Sequence, residues 1–460
     1  MRGIVITILT LLISSVAFGQ EGPRSMSLEE CIAYALENNE QLKIAKLENG
    51  IAETQVNEAL AGGLPQINGS IGITRNFTVQ VTPIPDFISP SVYQILVNEN
   101  LVNAGPGEFG TFPAAFGTDW NGQAGLSVRQ LVFDGSFFVG LKAAKTVREL
   151  SKKQEIQQEV DIIENVSKAY YLVLVSVKNL EFVARNFATI DTLYRETSAL
   201  YENGFAEKID VSRLKIQHNN LRASLENNTE QLVTSYNLLK FQMGMPLNDR
   251  INLTDELSDE LIASIETNEE SDFTNRPEYD VLQTNKSLLA LNVKNFQSQY
   301  VPNLYANYNF GWTSGTNTFG DLTDFGDQWF EYSNLGLTLS IPIFDGLYKR
   351  ANVQRNRIQM DQIQLSIDQL ENNVNREIIE ARVNLENAKR NIEAQKENVD
   401  LAEEVYEVTR IKYQEGVGSN FEVVEANTDL KESQTNYLNA VYEGITSQIE
   451  LKKALGILNK

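Results

Sequence analysis

From position 378 to position 413, large side chains recur every seven residues: Ile378, Leu385, Ile392, Val399, Tyr406 and Tyr413. A second series of mostly small residues, Ala381, Ala388, Gln395, Ala402 and Thr409, follows three residues behind. Alternating steps of three and four make a coiled-coil seam, and small residues along it let neighbouring helices approach closely. An ordinary amphipathic helix would carry a similar stripe, but not over this length. Pro is absent from 114–245 and from 343–460, and Pro is costly inside a helix. The pattern therefore predicts two very long helices, 136–202 and 347–415. Each would be roughly 100 Å long at the α-helical rise, more than the diameter of an ordinary globular domain. Gly204 and Gly416 end them, because glycine accepts the left-handed conformation that stops a helix. A last helix follows each turn, at 209–244 and 421–456, and moderate helices are expected near 27–62 and 276–299.

Four shorter segments change period from seven to two. Leu335, Leu337, Leu339 and Ile341 alternate with Asn334, Gly336, Thr338 and Ser340. Ala306, Tyr308, Phe310 and Trp312 alternate with Asn307, Asn309, Gly311 and Thr313. Ile67, Ile71 and Ile73 do the same among Asn68, Ser70, Gly72 and Thr74, as do Ala124, Leu126 and Val128 among Gln123, Gly125, Ser127 and Arg129. These predict strands at about 66–79, 122–133, 303–313 and 334–343. A soluble sandwich would also alternate, but apolar-out, small-polar-in segments of about ten residues suit a membrane barrel. On that reading Leu335, Leu337, Leu339, Ile341, Tyr308, Phe310 and Trp312 face lipid, and Trp120, Trp312 and Trp329 lie at or near strand ends, where aromatic residues anchor at an interface. Four strands cannot close a barrel, and an open sheet edge cannot face lipid. Several chains must then share one barrel; three would supply twelve strands.

The same parts occur twice. Gly125-Leu126-Ser127-Val128-Arg129-Gln130-Leu131-Val132-Phe133-Asp134-Gly135 matches Gly336-Leu337-Thr338-Leu339-Ser340-Ile341-Pro342-Ile343-Phe344-Asp345-Gly346. Tyr201-Glu202-Asn203-Gly204 matches Tyr413-Gln414-Glu415-Gly416, Asp210-Val211 matches Glu422-Val423, and Met243-Gly244 matches Leu455-Gly456. An ordered series at near-constant offset predicts an internal duplication. The first repeat spans 20–244 and the second 276–460, with a connecting segment at 245–275. Ahead of them, Arg2, the apolar run Ile4–Val16 and Ala17-Phe18-Gly19 predict a signal peptide, 1–19.

Composition narrows the chemistry. A net charge of -22 argues against a nucleic-acid partner. A single Cys (Cys31) and a single His (His218) exclude a disulfide framework, Cys-based zinc sites and most His-dependent catalysis, so no cofactor and no catalytic residue is expected. Cys31 reads as a packed core residue and His218 as a surface one. Gly105-Pro106-Gly107-Glu108-Phe109-Gly110 fits a nucleotide-binding pattern but lacks the strand before and helix after it, and reads as a loop. Glu422 and Glu425 share one face at the start of the last helix, where the helix dipole alone would favour acids.

The order of parts, with Ser27-Leu28-Glu29-Glu30-Cys31-Ile32, Phe-Asp-Gly before each long helix and Tyr-x-x-Gly after it, resembles the outer-membrane efflux protein family of TolC-like channel tunnels. The resemblance covers nearly the whole chain beyond the expected signal peptide. It implies a mixed fold: a long antiparallel α-helical coiled-coil barrel joined to a transmembrane β-barrel of four strands per chain and twelve per homotrimer. It implies a position in the outer membrane, in contact with its lipid and extending into the periplasm, as the passive exit duct of a tripartite efflux or type I secretion system. The partners implied are a periplasmic adaptor protein and an inner-membrane pump. Position by position, Glu422 and Glu425 match the family's acidic pore constriction and Asp210 and Tyr413 its tip latch. Gly204 and Gly416 match the tip turns that meet the adaptor. Gly418 stands where some members carry a bond-forming Arg, and the connection 76–121 is much longer than its counterpart 314–331. The competing reading is a structural periplasmic coiled-coil or adaptor protein without a barrel, against which the four amphipathic strands count.

Overall fold

The computed structural model describes residues 24–103, 105, 110–257 and 272–458. The expected signal peptide and positions 106–109 of the glycine-rich motif lie outside them. In chain order the elements are β1 (Arg24–Met26), α1 (Leu28–Asn38), α2 (Glu40–Ala61), β2 (Gln66–Arg75), β3 (Val81–Pro85), α3 (Ile88–Asn98), β4 (Thr111–Ala115), β5 (Trp120–Phe133), α4 (Gly135–Glu202) and α5 (Lys208–Met243). Then come β6 (Ile251–Leu253), α6 (Pro277–Ser298), β7 (Asn303–Thr316), α7 (Phe319–Thr323), β8 (Trp329–Ser340), α8 (Tyr348–Gln414) and α9 (Asn420–Ala454). They fall into two compact units, one made of the chain up to Glu53 with Thr146–Leu288 and Gln359–Lys460, the other of Thr54–Lys145 and Leu289–Ile358.

The first unit is helical. Ser27 starts α1 with a reciprocal cap: its Oγ accepts from the Glu30 amide at 3.3 Å, and its own amide donates to Glu30 Oε2 at 2.8 Å. The stretch expected as one helix over 27–62 is two. Asn39 stands between them, and its Oδ1 accepts from the amides of Gln41 (2.9 Å) and Leu42 (3.3 Å), capping α2, while its Nδ2 donates to the Gln242 carbonyl at 2.8 Å. Cys31, Ala35, Leu42, Val166, Tyr170, Leu239 and Met243 form the core beneath, with Cys31 fully buried. Burial there pushes the Cys31 thiol up to about 12. β1 and β6 pair in parallel beside this core, and the Tyr170 hydroxyl donates to Asp255 Oδ2 at 2.8 Å.

The heptad positions of α8 point inward. Ile378, Ala381 and Leu385 are buried with Leu451 and Ala454, and Ile392 with Ala440, Val441 and Ile445, so α9 covers the seam. Charged side chains tie α9 to α4. Lys453 Nζ lies 2.6 Å from both Asp161 Oδ1 and Glu164 Oε2. Lys168 Nζ lies 2.7 Å from Glu164 Oε1 and 2.8 Å from Glu450 Oε1.

The second unit is built on an antiparallel sheet of order β2-β5-β7-β8. Its strands differ from the expected bounds at their ends. β2 stops at Arg75, β7 runs on to Thr316, and β8 starts at Trp329 and ends at Ser340, which leaves Ile341 one residue beyond it, before Pro342. Trp120 and Trp329 open their strands, whereas Trp312 sits inside β7. The long connection between β2 and β5 has structure of its own: β3 and β4 form a hairpin and α3 lies between them in sequence.

Candidate functional site

The turns after α4 and α8 are glycine-closed. Gly204 has φ +82° and Gly416 φ +77°. The Phe205 amide reaches back to the Leu200 carbonyl at 2.8 Å, and the Val417 amide to that of Lys412 at 3.0 Å. This is the left-handed closure by which a helix end satisfies its last carbonyls. The paired glycines let the chain reverse and lay α5 and α9 back along their predecessors. The four helix ends meet in one apolar cluster of Ile190, Leu193, Leu214, Tyr406, Val423 and Ala426.

On α9, Val423 and Ala426 point into that cluster, which turns Glu422 and Glu425 outward; both are exposed. Ser419 caps this helix, its Oγ accepting from the Glu422 amide at 3.2 Å. Asp210 and Tyr413 line one cleft of about 810 Å³, together with Glu196, Thr197, Phe205 and Gly418. Among the described residues no hydrogen bond joins the two. The Tyr413 hydroxyl instead lies 2.9 Å from Thr197 Oγ1, and the Asp210 backbone carbonyl accepts from Asn420 Nδ2 at 3.1 Å. A Cβ at Gly418 would stand 3.0 Å from the Tyr413 amide nitrogen and 3.1 Å from the Lys412 carbonyl carbon, so a larger residue there requires the turn to shift.

Several polar partners at this end escaped the sequence pattern. Asn186 Nδ2 donates to Gln434 Oε1 at 2.9 Å in a buried pair, and Gln217 Nε2 to Asn427 Oδ1 at 3.3 Å. The available signal was an Asn or Gln on an otherwise apolar helical stripe. His218 is a correction: it is not a surface residue. Its side chain is 16% exposed, Nε2 lies 3.1 Å from Asp191 Oδ1, and its ring packs near Phe187 (5.1 Å) and Tyr194 (5.4 Å). The aromatic partners come from α4, so the polar run around His218 gave no sign of them.

In the sheet, cross-strand register sorts the two faces. Leu335 pairs Tyr308, Leu337 pairs Ala306 and Leu339 pairs Leu304. Leu335 is 74% exposed and Leu337 71%. Leu339, Ile341, Tyr308 and Trp312 are also exposed, while Phe310 is half-buried, its ring 5.0 Å from that of Trp312. The opposite face is polar: Asn307 Nδ2 donates to Thr338 Oγ1 at 3.2 Å and Asn309 Nδ2 to Asn334 Oδ1 at 3.0 Å. Within this sheet β2 and β8 each have a neighbour on one side alone. No described helix is long and apolar enough to cross a membrane. No described group of His, Cys, Asp and Glu is arranged to hold a metal ion.

The outer membrane efflux protein family model matches residues 31–245 and 277–457. The outer membrane protein TolC of Vibrio cholerae is 22% identical over 445 residues, 94% of this chain and 91% of that one. Among solved structures, CusC superposes with a TM-score of 0.72 at 16% identity, covering 95% of each chain. The CmeC outer membrane channel of Campylobacter jejuni gives 0.69 at 17%, covering 96% of this chain and 90% of that one. The chain therefore belongs to the outer membrane efflux protein family: it is an efflux channel of the outer membrane and not an enzyme.

Proposed function

We propose that three copies of this chain form one duct, with a shared twelve-stranded barrel in the outer membrane and a helical tunnel extending into the periplasm. The observation that carries this is the sheet: four strands, apolar and exposed on one face, with β2 and β8 open at the two edges. In lipid every backbone donor and acceptor must be paired, so a spanning sheet has to close on itself. Pairing β8 of one chain with β2 of the next closes it. The helices favour the same assembly. Beyond its covered seam, α8 leaves Ile379, Val383, Leu401, Val405 and Val408 exposed in the single chain, and a second apolar stripe calls for a second helical neighbour.

On this reading Leu335, Leu337, Leu339, Ile341, Tyr308, Phe310 and Trp312 face lipid. The two halves of the chain are products of a duplication, and the expected signal peptide delivers the protein for export across the inner membrane. At the tips, Glu422 and Glu425 of three chains make two acidic rings that narrow the pore. The cleft holding Asp210 and Tyr413 sets the aperture, and the turns at Gly204 and Gly416 meet a periplasmic adaptor. The duct is passive, and an inner-membrane pump of a tripartite efflux or type I secretion system supplies the energy and selects the cargo.

Native mass measurement in mild detergent tests the assembly. Three chains are expected, with discrete conductance steps when the same sample enters a planar bilayer. A folded, stable monomer that does not conduct would refute it.

A further inference from the structure

The polar face of the sheet carries a single ionisable side chain that bears a positive charge among the described residues. By register the row runs Gln66, Arg129, Asn307, Gly336, one residue from each strand. The neighbouring rows on this face are uncharged: Leu131, Tyr305 and Thr338 on one side, and Asn68, Ser127, Asn309 and Asn334 on the other. The two other charged strand residues, Arg75 and Glu331, pair with Trp120 and Trp312 on the apolar side. An unaccompanied cation on an uncharged wall, in a chain of net charge -22, is not there to balance a local excess of acid.

Arg129 is also held. Its guanidinium carbon stands 4.1 Å from the centre of the Tyr305 ring. Stacking uses one face of the guanidinium and restricts its swing. It leaves the N–H edge free, and that edge is a planar fork matched to carboxylate, sulfonate or phosphate oxygens. No carboxylate pairs with Arg129 among the described residues, and no hydrogen bond engages its side chain. The geometry is that of a preorganised anion receptor: oriented donors, a fixed aromatic backing and no internal counter-ion.

We propose that Arg129, backed by Tyr305, is an anion-binding residue on the lumenal wall, suited to solutes that carry multiple carboxylate or similar oxyanion groups and acting on whatever cargo the pump has already selected. This rests on the three-chain duct, in which three copies at one level make a ring of guanidinium groups. The ring opposes the acidic tips: the tips disfavour anions at entry, and the Arg129 ring draws those that the pump has delivered onward into the barrel.

The test uses the full-length channel in planar bilayers, with mellitate, a benzene polycarboxylate, added to the barrel side, and a mass measurement on each sample. Mellitate should block wild-type current. Arg129→Gln should raise the half-blocking concentration at least about ten-fold, since a ring of charge-assisted contacts is lost. Arg129→Lys, which keeps the charge and loses the fork, should fall between the two. Tyr305→Leu, which frees the guanidinium, should raise it by a smaller factor than Arg129→Gln. A conducting trimer that mellitate does not block, or blocks equally in wild type and Arg129→Gln, overturns this proposal and leaves the duct standing. A non-conducting monomer overturns the duct, and this proposal with it.

Discussion

The hydroxyl of Tyr413, the last seam residue of α8, lies 2.9 Å from Thr197 Oγ1 on α4. This contact joins the two long helices just before their glycine turns, across 216 positions of sequence. Tyr413→Phe removes the hydroxyl and keeps the ring. The loss of one such hydrogen bond is worth about 1 kcal/mol. If the contact helps hold the tips together, Tyr413→Phe and Thr197→Val should each raise the open fraction in single-channel recordings, and the double variant should add little to either. Additive effects would show that the two residues act separately.

The buried Asn186–Gln434 pair offers a cleaner measure of specificity in the helix packing. Asn186→Leu strands the Gln434 carbonyl in an apolar layer, which should cost about 1–3 kcal/mol in urea unfolding. Asn186→Leu with Gln434→Leu removes both partners and should recover most of that loss. A double variant less stable than either single one would contradict the account.

If three chains bring Glu422 and Glu425 into two rings, those rings should favour cations and bind multivalent ones. Wild-type channels are expected to be cation-selective and blocked by a trivalent cation from the helix-tip side. Glu422→Gln with Glu425→Gln should abolish the block while the trimer survives. Unchanged block and selectivity would reduce the pair to helix-start residues and place the constriction elsewhere.

The register of β8 can be tested by paired substitutions. Leu337 and Thr338 are neighbours whose side chains leave opposite faces of the sheet. Leu337→Arg should cost about 2–4 kcal/mol near the bilayer midplane. Thr338→Arg should fold and mainly alter conductance. Equal damage from both would contradict the assignment of faces.

Acid should loosen the helical unit through Glu164. Burial by itself would raise its pKa, but hydrogen bonds from Lys168 and Lys453 outweigh it and hold the carboxyl below its ordinary 4.5. Because the folded pKa lies below the unfolded one, the stabilisation is present above about pH 4.5 and is lost as pH falls through the depressed value. Thermal unfolding should show a downturn below that pH that is smaller in Glu164→Gln. An identical acid profile in the variant would assign the downturn to other groups, such as Glu278, which Arg276 holds down in the same way.

Local periodicity determined the elements of this protein. Seven-residue spacing set the second long helix and the face it buries, with Ile378, Leu385 and Ile392 buried where that spacing puts them. The first long helix followed from the Pro-free run 114–245 and the repeat of parts. Two-residue alternation set the strands and their two faces, because side chains on a strand leave alternate sides whatever the partner. The glycines after Tyr201 and Tyr413 marked where the helices stop, since the left-handed turn is a property of the residue itself. What only the tertiary structure decided are pairings between residues far apart in the chain. Asn39 interrupts a helical pattern because its side chain serves both the next helix and Gln242. His218 is enclosed by aromatic residues of α4, Lys453 finds Asp161 and Glu164, and β1 pairs with β6 across more than two hundred residues. Arg129 sits in an ordinary alternating strand, and only the neighbouring strand brings Tyr305 beneath it. The sequence carries a hydrogen bond's donor and its acceptor as separate letters, and their meeting depends on which helix or strand lies alongside.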